Sequence, residues 1–187
     1  MFGKHTVPRP GTVAQSDLIP TSRFVLRPLR PEDVTETYSE WFDDPEVAPR
    51  ILAARNAHDV PSLRRYVEER VGRDDVLFLG IFTPDGATHV GNVKYEPVNE
   101  REGFAVMGIL IGDPTWRRRG VAEEVTVASA RWLQAHRGIR EIFLGVAKDH
   151  RVAIAAYEKI GFRTEPSARI SVGEDALCMV WRLDPSA

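Results

Sequence analysis

Hydrophobic positions along this chain alternate between a strand-like and a helix-like spacing, and that alternation lays out its elements. Phe24-Val25-Leu26 reads as a short strand closed by Arg27-Pro28. Pro31-Glu32-Asp33 carries the proline and the acidic first turn of a helix start. That helix is expected to run to about Phe42, where Asp43-Asp44-Pro45 stops it. A second helix should follow Asp59-Val60-Pro61, with Leu63, Tyr66, Val67 and Val71 on one face. Val76 to Phe82 is strand-like, Thr83-Pro84-Asp85-Gly86 is a turn, and His89 to Tyr95 returns as the partner of an antiparallel hairpin. A third strand, Phe104 to Ile111, follows the polar turn at Asn99 to Gly103. Val121, Val125, Ala128 and Trp132 then share one helical face, which predicts a helix from about Arg118 to His136, ended by Gly138. Ile142 to Val146 is again a strand, and Asp149 is placed to cap a helix through Ile160, with Gly161 just beyond. Two strands close the chain, near Arg163 to Val172 and Ala176 to Leu183, joined at Gly173-Glu174-Asp175.

This order predicts one α+β domain over residues 23–187, with a mixed, mostly antiparallel sheet flanked by helices. Residues 1–22, with three prolines and a Pro-Gly pair, read as an extended or disordered N-terminal arm. The helix between the Phe104 and Ile142 strands is a crossover, so that pair should be locally parallel. Ligands often bind beyond the carboxyl ends of strands at such a switch. Composition narrows the partners. A net charge of −2 gives no footprint for nucleic acid and no polybasic membrane anchor. Neither a signal-peptide core nor a membrane-length apolar run occurs, so a cytoplasmic location is expected. The single cysteine, Cys178, excludes an internal disulfide and a multi-cysteine zinc site. It sits in an apolar stretch, as a buried small hydrophobe would, and no metal is expected. Trp116, Trp132, Tyr38 and Trp41 fall on separate elements and read as packing residues, not a base-stacking set.

The most informative segment runs from Ile109 to Ala122: a buried strand ends, a short turn follows, and a helix opens among Arg117, Arg118, Arg119 and Gly120. The first N–H groups of a helix lack intrahelical partners and sit at the positive end of its dipole. Small residues at Gly120 and Ala122 would admit a diphosphate to the backbone, with guanidinium groups at the rim. A solvated basic turn is the competing interpretation of the same residues. Neither a Walker A motif nor G-x-G-x-x-G is present, which argues against nucleotide hydrolysis and dinucleotide binding.

Arg117-Arg118-Arg119-Gly120-Val121-Ala122 resembles the acyl-CoA signature of the GNAT acetyltransferases, Arg/Gln-x-x-Gly-x-Gly/Ala. Ala153-Ile154-Ala155-Ala156-Tyr157-Glu158-Lys159-Ile160-Gly161-Phe162 is similar to the closing helix of that family, and Phe24-Val25-Leu26-Arg27-Pro28-Leu29 to the first strand of its RimJ/RimL-like branch. The resemblance implies a GNAT-like fold with splayed central strands and acetyl-CoA as cosubstrate. It implies that the backbone of Arg118 to Ala122 holds the pyrophosphate of coenzyme A, with Arg117 in the same signature. Ile109, Leu110 and Ile111 would pair through their main chain with the pantetheine arm. A backbone N–H, that of Ile111, would polarise the thioester carbonyl. His150 stands where the family usually has an Asn that helps to position the cofactor. Tyr157 matches the position that acts as general acid towards the leaving thiolate.

One departure concerns the base. The RimJ/RimL-like branch often has Glu two residues before the central-strand glycine, where this chain has Val106 before Met107-Gly108. Glu96 and Glu102, with Asp113, are then the nearby carboxylates that could deprotonate an amine. The activity implied is direct acetyl transfer, in a ternary complex, to a primary amine. Two acceptor classes stay open: a protein N-terminus, or a small-molecule amine or amino sugar, to which Val90-Gly91-Asn92-Val93-Lys94 adds a second resemblance. A catalytically silent acyl-CoA-binding regulatory module would keep the same signature. A homodimer contact could use the N-terminal arm.

Overall fold

The computed structural model describes residues 18–49 and 58–184. Residues 1–17 of the expected arm lie outside that range, while Ile19–Pro20 is already an edge strand. Strands β1 (Ile19–Pro20), β2 (Val25–Pro28), β3 (Leu77–Phe82), β4 (His89–Asn99), β5 (Phe104–Ile111), β6 (Glu141–Ala147), β7 (Arg163–Thr164) and β8 (Ala176–Arg182) form one sheet in the order β1-β2-β3-β4-β5-β6-β8-β7. Every neighbouring pair is antiparallel except β5 and β6. The crossover that makes this pair parallel contains α3 (Val121–Arg137). Three further helices are α1 (Glu36–Glu40), α2 (Val60–Glu68) and α4 (Arg151–Ile160).

Alternation along the strands sends apolar side chains to both faces, and each face is covered. On one, Val93, Tyr95, Ala105, Met107, Ile142, Leu144 and Met179 pack with Val121, Val125 and Leu133 of α3, with Ile154 and Tyr157 of α4 at the margin. On the other, Leu110 packs with Tyr38, Trp41, Phe42, Leu63 and Val67 of the α1–α2 layer. A smaller cluster of Phe104, Phe143, Cys178 and Val180 lies under Ile170 and Val172. Burial pushes the Cys178 thiol up, as fits a packing residue. Among the described residues, no helix is long and apolar enough to cross a membrane.

Several expected boundaries move for local reasons. The helix expected from Pro31 to Phe42 is a 3₁₀ turn at Pro31–Asp33 and then α1. The Asp33 carboxylate accepts from Arg27 at 2.7 Å through both oxygens and from the Arg30 N–H at 2.8 Å, which fixes the turn; Thr35 then caps α1 afresh. Val71 is not on the buried face of α2: it lies beyond the helix, 59% exposed. The strand expected from Arg163 to Val172 is cut to Arg163–Thr164, with Pro166 just beyond. α4 is capped at His150, one residue later than Asp149.

Candidate active site

The candidate site is a gap in the sheet. β5 and β6 share only Phe104↔Glu141, Ala105↔Ile142 and Val106↔Phe143. Beyond those rungs each strand follows its outer neighbour, β5 along β4 as far as Ile111↔Gly91 and β6 along β8 as far as Ala147↔Ala176. From Met107 and Leu144 onward no strand among the described residues lies between the two inner edges, so their main-chain groups are available to a ligand. Gly91 allows the tight β4–β5 approach, since a Cβ there would stand 2.1 Å from the Leu110 carbonyl oxygen. Gly108 and Gly145, both exposed, occur along the diverging stretches.

Because β5 and β6 run the same way, α3 and α4 both open near the carboxyl ends of these strands. Between β5 and α3 the chain makes a tight passage. Gly112 is pressed by Trp41, whose ring lies 1.9 Å from where a Cβ would be. Asp113 caps a 3₁₀ turn at Pro114–Trp116, accepting from the Thr115 N–H at 2.8 Å. Arg118, with φ of 60°, and Gly120, with φ of 73°, then adopt left-handed conformations, so α3 starts at Val121 and not at Arg118. No side chain caps α3 at Gly120, and the acids of its first turn are bonded elsewhere. Glu124 accepts from Thr21, Ser22 and Arg23, and Glu123 pairs with Lys159 at 2.7 Å. The helix therefore presents an uncapped positive end at Gly120, Val121 and Ala122, a suitable place for an anion.

The three arginines do different things. Arg117 turns inward: its Nε donates to the Ile111 carbonyl at 3.0 Å, its Nη2 to the Gly112 carbonyl at 2.7 Å, and its Nη1 pairs with Asp44 at 2.9 Å. This corrects the expectation of a guanidinium at the rim, because Arg117 clamps the end of β5. Arg118 is 79% exposed and reaches Glu46 at 3.4 Å. Arg119 lies 5.9 Å from the Trp116 ring centroid. These two remain outward-facing cations beside the helix start.

Ile109 and Ile111 pack towards the α3 face and Leu110 is buried towards α1 and α2, so the strand is anchored on both sides while its β6-facing edge stays open. Tyr157 is partly buried on α4 against Phe162, with ring centroids 5.6 Å apart, and burial pushes its phenol up to about 12. It is thus protonated at neutral pH and fit to donate. His150 stands at the start of α4, with its N–H bonded to the Ala147 carbonyl at 2.9 Å.

The expected carboxylates are not free bases at the gap. Glu96 faces Lys94 at 2.7 Å, Arg70 at 2.9 Å and Arg73 at 3.0 Å. Partial burial opposes its ionisation, but Lys94 and Arg70 outweigh that and hold its carboxyl below the usual range. Glu102 lies in the exposed β4–β5 turn, bonded to Asn99, at the opposite end of β5 from the gap. Asp113 is occupied as a cap.

Sequence reasoning missed a polar array on the α1–α2 face. Tyr66 lies between Arg70, 3.5 Å from its ring centroid, and Lys94, whose ammonium donates to its hydroxyl at 2.5 Å. Nearby, buried Asn92 donates to the Tyr38 hydroxyl at 3.1 Å. The one visible signal was a Lys-x-Glu pair on a single strand face, Lys94 and Glu96; Tyr66 and Arg70 come from a remote helix.

Comparisons with known proteins agree with this fold. The model of the acetyltransferase (GNAT) domain matches residues 23–163. A mycothiol acetyltransferase of Salinispora arenicola is 30% identical over 152 residues, covering 76% of this chain and 49% of the relative. The chain thus spans about half the length of the curated relatives it matches. Among solved structures, RimL, a ribosomal-protein alpha-N-acetyltransferase in complex with coenzyme A, superposes with a TM-score of 0.75 at 13% identity, covering 89% of this chain and 98% of that one. A Vibrio cholerae spermidine N-acetyltransferase, in complex with CoA and spermine, gives 0.65 at 18% identity, covering 86% and 96%.

Proposed function

Because the chain belongs to the GNAT acetyltransferase family, we propose that it transfers an acetyl group from acetyl-CoA to a primary amine at the gap between β5 and β6. The observation that carries this is the parting of two parallel strands after three rungs, beside an uncapped helix N-terminus. The open β5 edge at Ile109 to Ile111 would pair with the amides of the pantetheine arm as an added strand does. The N–H groups of Arg118 to Ala122 would hold the pyrophosphate, with Arg118 and Arg119 supplying charge, Arg117 supporting from behind, and His150 flanking the cofactor from the start of α4. Bound acetyl-CoA supplies the activated acetyl group. Tyr157 donates a proton or hydrogen bond to the departing thiolate, for which its raised pKa keeps it ready.

The incoming amine must lose a proton. Glu96, held by three cations, and Glu102, beyond the far end of the gap, are poorly suited to take it. Water at the gap is the better acceptor, so kcat/KM should climb with pH towards the pKa of the amine. That none of the three expected carboxylates is a free base at the gap also favours a second interpretation, a silent acyl-CoA-binding module. Thiol release from acetyl-CoA, measured over a panel of N-terminal peptides, amino sugars and polyamines, separates the two. Acceptor-dependent release supports the enzyme. Tyr157→Phe is expected to lower kcat by about 10- to 100-fold while leaving acetyl-CoA affinity within about twofold. Full activity in that variant would remove Tyr157 from the chemistry. Tight acetyl-CoA binding with no release on any acceptor would favour the silent module.

A further inference from the structure

On the α1–α2 face, the wall of the gap is charged, and its closest pairs leave one positive charge over. The cross-sheet row Phe78–Lys94–Gly108 ends at the open edge of β5. Gly108 is exposed, and nothing lies within 4 Å of where its Cβ would be, so the floor there is open. Lys94 donates to the Tyr66 hydroxyl at 2.5 Å and to Glu96 at 2.7 Å, which leaves its third N–H without an acceptor among the described residues. Glu96 also holds Arg70 and Arg73, and Asp75 takes Arg73 through two bonds, at 3.0 and 2.7 Å. Glu69 comes only to 3.9 Å from Arg70 and is 63% exposed, where water screens it. Within 3.0 Å three cations thus face two carboxylates, so the inner array carries one positive charge that only the more distant, exposed Glu69 offsets. By contrast, the cluster at the β6–β8 side of the same face is apolar, with Val106, Ile170 and Val172.

A polycation at this wall would add to the surplus, and the carboxylate there already has three cationic neighbours. An anion would complete the Lys94 donor set with a charge-assisted hydrogen bond. Resting on the acetyl-transfer reading, we propose that the acceptor is an amine that also carries an anionic group, a carboxylate or a phosphate. Lys94, backed by Arg70, binds that group while the amine turns to the open floor at Gly108 and the carbon frame lies along Val106 and Val172. Lys94 is then the residue that selects the acceptor, and Glu96 and Tyr66 hold its ammonium in place.

Matched probes test this: alanine against alaninamide, glucosamine 6-phosphate against glucosamine, and spermidine, each with saturating acetyl-CoA. The anionic member of at least one pair should have a kcat/KM tenfold or more above its neutral partner, with spermidine below both; which pair responds tells carboxylate from phosphate. Lys94→Gln should narrow that ratio at least fivefold, with the change in KM, while acetyl-CoA affinity measured by calorimetry holds. Where no probe turns over, calorimetry of the same pairs into CoA-saturated wild-type protein decides: tighter binding of an anionic member supports the proposal, and no preference overturns it. A wild-type preference for spermidine or for both neutral members overturns it too, as does an unaltered ratio in a Lys94→Gln protein that still binds acetyl-CoA. Acetylation of neutral amines without anionic preference leaves the transferase standing and removes only this proposal; loss of all acetyl-CoA binding would strike the transferase itself.

Discussion

Replacing Arg117 with Leu separates two roles that the signature Arg117 to Ala122 could give it. In the structure the side chain is 15% exposed, donates to the Ile111 and Gly112 carbonyls, and pairs with Asp44. A hydrogen bond from a charged donor contributes about 1.5–3 kcal/mol, and removing one partner of a fully buried pair costs about 3–5 kcal/mol. Asp44 is 24% exposed, so water recovers part of that loss, and the two carbonyls regain part of theirs. The expected destabilisation is therefore roughly 2–4 kcal/mol. With a urea slope of about 2 kcal/mol/M, the unfolding midpoint should fall by about 1–2 M. Arg117→Lys should recover little, because an ammonium cannot span two carbonyls and a carboxylate as the planar fork does. A cycle with Asp44→Asn should show a coupling of about 1–3 kcal/mol. The assay is urea unfolding followed by tryptophan fluorescence, with CoA affinity measured on the same preparations. An unfolding midpoint moved by less than about 0.3 M, together with CoA affinity weakened tenfold or more, would refute the clamp and return Arg117 to the phosphate.

Two further outcomes follow from close contacts and from burial. Gly91→Ala places a methyl against the Leu110 carbonyl oxygen, which cannot move without shifting β5; it should cost about 1–3 kcal/mol and weaken CoA binding, seen as a lower thermal midpoint and a higher Kd. His89 is stacked on Phe82 at 4.4 Å, and burial pushes it down to about 4, so the unfolded chain takes a proton that the native state refuses. Stability should be whole above about pH 6.5 and decline as the pH falls towards 4; His89→Gln should decline less steeply across that window, and equal slopes in urea midpoints at the two ends would show that His89 is not the cause.

How much of this was legible in the sequence depended on whether a signal was local. β5 was read in full from Phe104 to Ile111, because an apolar run there is bounded by Gly103 and Gly112. The end of α3 was also plain, since Gly138 takes a left-handed conformation that few other residues accept. The crossover between β5 and β6 followed from element order, while their splaying was implied only by the family resemblance. Side-chain destinations did not. Arg117, Arg118 and Arg119 look alike in sequence, yet one turns inward to Asp44 while its neighbour has positive φ. Glu96 looked like an available base because the helix that supplies Arg70 lies far away along the chain. Pro31-Glu32-Asp33 looked like a long helix start because nothing local showed that Arg27 and the Arg30 N–H would claim Asp33. Proximity in the fold, not residue type, decided each of these.

The parting of β5 from β6 also bears on how this sheet stays unblocked. Two open inner edges in the middle of a sheet would ordinarily invite an intruding polypeptide strand. Here the edges diverge after Val106 and Phe143, so a strand laid along one is carried away from the other and leaves half of its own amides unmet. A slender guest with only a few amides loses little by that divergence. The geometry proposed to receive pantetheine would therefore also disfavour an intruding strand, because of where two strands stop touching.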